Sequence, residues 1–90
     1  MMASTREWIK DTLEEYEARE FPGSLVSTIE LQEGYISCIC TESHIDGSID
    51  VSIVDDFEEE LFSITSGEEN GDISVVDELL ESAIDAPYFN

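Results

Sequence analysis

Positive charge is the scarcest commodity in this chain. Arg6, Lys10 and Arg19 are its only bases, and they stand against 23 Asp and Glu, for a formal net charge of −20. Such a chain has almost nothing with which to contact phosphates, so nucleic acid is excluded as a direct ligand. Histidine is limited to His44, and cysteine to Cys38 and Cys40. Those two thiols are too close together for an ordinary structural disulfide and point to a reducing, cytoplasmic setting. No run approaches the roughly 18 apolar residues of a membrane helix. The opening residues Met1 to Trp8 lack the apolar core and cleavage pattern of a signal peptide.

Catalytic and metal motifs are equally scarce. Cys38 and Cys40 fall within an apolar run, where buried, inert thiols are expected. A reactive thiolate needs positive charge nearby, and here the surrounding charge is negative. With His44 they offer three candidate zinc ligands and no second cysteine pair, short of a zinc-ribbon spacing. Asp46, Ser48 and Asp50 imitate the start of a calcium-binding EF-hand loop. The glycine that loop needs at its sixth position is Val51, however, and its closing glutamate is Phe57, so the pattern fails. Neither an enzyme nor a cofactor is expected.

What remains is a foldable domain. A 41% hydrophobic content is near the globular average, and the apolar residues recur periodically, unlike those of disordered chains. The length suits one domain spanning residues 1–90. Ser4 and Glu7 read as a capping box opening a helix over 5–19, halted by Pro22-Gly23. Its inner face is Ile9, Leu13 and Tyr16, flanked by Trp8. Strands are expected at about 24–31, 35–42, 48–54 and 60–65, separated by turns at Glu33-Gly34 and Asp46-Gly47. A short helix over Asp56–Phe62 is the alternative for the fourth strand. Ser66–Asp72 reads as a loop. A second capping pattern at Ser74 and Asp77 opens a helix over 75–85, with Val75, Val76, Leu79, Leu80, Ala83 and Ile84 as its apolar stripe; Pro87 ends it and 86–90 is a tail. The expected fold is α+β: an N-terminal helix, a three- or four-stranded antiparallel sheet and a C-terminal helix, with both helices on one face as a two-layer sandwich.

The acidic residues are the candidate functional surface. Glu7, Asp11, Glu14 and Glu15 lie on the outer face of the first helix, and Asp77, Glu78, Glu81 and Asp85 on that of the last. Asp55-Asp56, Glu58-Glu59-Glu60, Glu68-Glu69 and Asp72 add clusters between them. Like charges at i, i+4 destabilise a helix by roughly 0.2–0.5 kcal/mol per pair. Interspersed bases would relieve this, but beyond Arg6, Lys10 and Arg19 there are none, so such a surface makes sense against a basic one. Carboxylates four residues apart stand about 6 Å apart along a helix, comparable with the ~3.4 Å spacing of charges along one DNA strand.

In size and acidic character the chain resembles the DNA-mimic inhibitors of bacteriophages, including anti-restriction and anti-CRISPR proteins. The resemblance implies a basic nucleic-acid-binding protein of the host as partner, with its groove occluded, in the host cytoplasm. Monomer is slightly favoured over homodimer, because each copy brings the same repulsive charge. Two other readings stand beside it: a surface kept hydrated in high salt, and a generic adaptor or antitoxin-like subunit for another basic protein. Glu outnumbers Asp by 15 to 8 and Ile numbers 10, which argues against halophily.

Overall fold

The computed structural model describes residues 4–19, 23–42, 47–65 and 68–85, with the backbone alone at Asp85. Pro22, His44, Asp46, Ser66, Gly67, Pro87 and the 86–90 tail lie outside these residues, as do the expectations placed on them.

The first helix, α1 (Thr5–Glu17), begins where the capping pattern predicts, with the Ser4 hydroxyl accepting from the Glu7 amide. It ends two residues before the expected Arg19. Its buried face centres on Thr5, Trp8, Ile9 and Thr12, while Leu13 and Tyr16 pack half-buried at its margin. Trp8 is wholly buried, and its indole Nε1 donates to Ser27 Oγ at 3.0 Å. Thr12 is also buried, its hydroxyl donating back to the Trp8 carbonyl at 2.8 Å.

Four strands follow at the expected places: β1 (Leu25–Leu31), β2 (Tyr35–Glu42), β3 (Ile49–Asp55) and β4 (Glu60–Thr65). They form an antiparallel meander, with Ser27 opposite Cys38, Cys38 opposite Ile53 and Ile53 opposite Phe62. Period-two alternation turns Ile29, Leu31, Ile36, Cys38, Cys40, Val51, Ile53 and Phe62 into the core. The fourth segment is a strand and not the alternative helix over Asp56–Phe62. Asp55 and Glu59 close a tight turn, the Asp55 amide donating to the Glu59 carbonyl, and Ile53 and Phe62 then pair across it.

Among the described residues six strands form where three or four were expected. The predicted loop at 66–72 contains β5 (Glu68–Gly71), antiparallel to β4. Its sequence, Glu-Glu-Asn-Gly, has no β-formers and is fully exposed, so pairing with β4 and not its own propensity makes it a strand. Gly71 lies opposite Phe62 at φ 84°, where a Cβ would stand 2.5 Å from the Leu61 carbonyl oxygen.

The closing helix is shorter than expected. α2 (Ile73–Leu80) is capped by Asp72, two residues before the predicted Ser74 cap, and ends at Leu80 with Glu81 as its C-cap. The apolar residues Ala83 and Ile84 fit a helical period, but they belong to β6 (Ala83–Asp85), which pairs with β1. Ser82 makes the break: its amide and hydroxyl both bond the Leu79 carbonyl, and its own carbonyl accepts from Gln32. Pairing with β6 satisfies backbone groups that the edge of β1 would otherwise leave open. Val75 and Ile84 accordingly stand exposed, and Val76 and Leu80 carry the helix's burial.

The strand order is β5-β4-β3-β2-β1-β6, so α2 joins opposite edges of the sheet. Flat, those edges would lie about 24 Å apart at ~4.8 Å per strand. Eight helical residues span only about 12 Å, so the sheet curls. α1 packs on β1 and β2, α2 packs on β4, and the two helices touch.

Candidate protein-binding surface

Among the acidic residues whose side chains are described, only Asp50, Asp55 and Asp77 are half-buried; the rest are exposed. No ion pair joins a base to a carboxylate among the described residues. The acidic surface is therefore not neutralised by ion pairs among the described residues.

α1 presents the most ordered part of it. Glu7, Asp11 and Glu15 succeed one another at four-residue intervals, with Glu14 beside them, all exposed. The buried Trp8–Thr12 side locks the helix against β1 and β2, so the carboxylate row is carried on a fixed support. The second expected row is not formed. Asp77 is helical, Glu81 is the C-cap of α2 and Asp85 lies in β6, so the three do not share a helical line. Glu78 and Glu81 remain exposed.

Three predicted contact residues have structural work inside the chain. Asp77 does not face away: its Oδ1 accepts from the Thr5 amide at 2.7 Å and also from the Thr5 hydroxyl, so α2 supplies a cap for the first turn of α1. Asp72 caps α2, accepting from the Ser74 amide and hydroxyl. The Ser74 hydroxyl and amide hold its carboxyl below the usual range. Asp55 accepts from the Phe57 and Glu59 amides and so builds the β3–β4 turn.

The Asp77 contact yields a prediction. Asp77→Ala removes a cap worth ~1 kcal/mol and strands buried Thr5 donors at ~1–3 kcal/mol. We expect a loss of about 2 kcal/mol by urea denaturation, with Asp77→Asn losing less because it keeps the acceptor. Equal stability of Asp77→Ala and wild type would show that the inter-helix cap contributes nothing.

The β3–β4 turn gathers Asp56, Glu58, Glu59 and Glu60 around Phe57, which is 84% exposed. Glu58 sits at φ 64°, a left-handed conformation that costs a non-glycine residue roughly 1–2 kcal/mol. The Asp56 carboxylate packs over Gly34, whose missing Cβ would meet it at 2.5 Å, so the β1–β2 and β3–β4 turns dock together. Glu68 and Glu69 lie on the exposed edge strand β5, Glu69 opposite Ile64.

One feature is absent from the sequence reading: a groove of about 260 Å³ between α1 and the β4–α2 side. Ile9 and Leu13 form one wall and Phe62, Ile64 and Ile73 the other. Arg6, Lys10, Glu14 and Glu17 stand along it. No sequence signal marks it, because its two walls are some 50 residues apart in the chain.

The cysteines are wholly buried. The neighbouring Cys40 thiol together with burial pushes the Cys38 thiol far up, and Cys38 in turn draws Cys40 down. Cys38 thus stays protonated. A thiol reagent such as DTNB is expected to react with neither cysteine until the domain unfolds; stoichiometric reaction of the folded protein would contradict this. Among the described residues no three His, Cys, Asp or Glu side chains are grouped to hold a metal ion. No described helix is long and apolar enough to cross a membrane.

No protein-family model, curated protein or solved structure matches this chain.

Proposed function

We propose that this protein binds a basic nucleic-acid-binding protein, such as a restriction nuclease or a CRISPR effector, and occludes its groove by presenting negative charge in place of nucleic acid. The observation that carries the reading is the row Glu7, Asp11 and Glu15 on a rigidly packed helix, exposed and in no ion pair among the described residues. Carboxylates about 6 Å apart along the axis meet Lys and Arg side chains arranged for phosphates. The long-range field of a −20 domain steers it to such a groove.

The test is capture from host lysate on the immobilised protein, with elution by duplex DNA and then by salt. Release of a DNA-handling protein by DNA supports occlusion of its groove. A partner released by salt alone is a basic protein of another kind and sinks the mimicry reading. Unfolding of the protein in low salt, with nothing captured, supports the high-salt reading instead.

A further inference from the structure

We infer that the α1–β4 groove is the anchor pocket of the complex, receiving one apolar side chain from a basic segment of the partner protein. The inference rests on the proposed function and adds to it where the contact is made and what the partner must carry.

Charge alone gives rate and reach, whereas tight binding comes from a few desolvated anchors near the centre of an interface. The groove supplies such a place on the inner flank of α1, bordered by Glu14 and Glu17. Ile9 and Leu13 on α1 face Phe62 and Ile64 on β4, with Ile73 closing the wall. At about 260 Å³ it falls just below the roughly 300–1,000 Å³ of small-molecule sites, a size for a side chain and not for a cofactor.

Charge complementarity selects the occupant. The rim is polarised along α1, with Arg6 and Lys10 towards the N-terminus and Glu14 and Glu17 one to two turns further on. Cross-strand pairing puts Glu69 opposite Ile64, and directly opposed residues share a sheet face, so the far wall is flanked by a carboxylate as well. A Lys or Arg beside the apolar anchor meets Glu14, Glu17 and Glu69. Arg6 and Lys10 repel a base at the other end and fix the direction in which the segment lies. A simple anionic amphiphile suits Arg6 and Lys10 but is opposed by the acidic end and by the net charge of −20.

The test uses amide NMR titrations of the full chain with three probes: a Lys-rich peptide carrying a central Leu-Phe pair, the same peptide with Ser-Ser, and decanoate. The Leu-Phe peptide is expected to shift Ile9, Leu13, Ile64 and Ile73 and to bind on the order of tenfold more tightly than the Ser-Ser peptide. Glu14→Lys with Glu17→Lys should remove most of that difference, with unchanged circular dichroism as the folding control. Equal binding of both peptides, with shifts spread over the acidic surface, overturns the anchor pocket and leaves the basic-partner reading standing. Binding of decanoate alone overturns it in favour of an anionic ligand. Failure of both peptides to bind overturns the pocket and the basic-partner reading together.

Discussion

Replacing Trp8 with Ala should remove about 3–5 kcal/mol of stability, the usual cost of truncating a buried tryptophan. Trp8 is wholly buried at the point where α1 meets β1, and it contributes both volume and the hydrogen bond to Ser27. Its loss leaves a cavity and deprives the Ser27 hydroxyl of its donor. Small domains hold only about 5–15 kcal/mol in total, and this one also carries uncompensated charge, so Trp8→Ala should be largely unfolded at 37 °C. Trp8→Phe keeps much of the packing and should lose about 1–2 kcal/mol. Trp8 is the chain's one tryptophan, so urea unfolding has to be followed by far-ultraviolet circular dichroism. A loss below about 1 kcal/mol for Trp8→Ala would mean that α1 is not pinned to the sheet through this residue.

The second large effect concerns binding. Glu7→Lys, Asp11→Lys and Glu15→Lys together convert the α1 ridge from an acidic row to a basic one. All three side chains are exposed, and surface substitutions of this kind usually shift stability within about 0.5 kcal/mol each. The fold should therefore persist while the partner complex weakens. Electrostatic steering raises association rates by about 10–1,000-fold, so association with the captured partner should slow by at least tenfold and lose much of its salt dependence. Surface plasmon resonance at several salt concentrations reads both. An unchanged association rate would remove the α1 ridge from the interface and leave the β3–β4 turn and β5 as the acidic surfaces to test.

The parts of the fold legible in the sequence were those with local causes. Ser4 and Glu7 marked the start of α1, and alternation marked the strands at about 24–31, 35–42 and 48–54. The misplaced parts were settled by pairing partners distant in sequence. Glu68–Gly71 is a strand because β4 offers an open edge, and Ala83–Asp85 is a strand because β1 does. In the latter, two apolar residues followed by Asp85 are compatible with either period. The candidate site divides the same way. Outward carboxylates on α1 followed from helical spacing, whereas Asp77 was assigned outwards because its acceptor role depends on Thr5, 72 residues away. The groove belongs to this second group, since both its walls come from separate elements.

The central claim is competition between this protein and nucleic acid for one basic groove. Its most direct test is titration of the protein into a complex of the captured partner with labelled duplex DNA, followed by fluorescence anisotropy. The account predicts that the DNA is released completely, with the inhibitor concentration required rising in proportion to added duplex. Simultaneous binding of protein and DNA, seen as anisotropy that stays high or increases while the protein is bound, would contradict it.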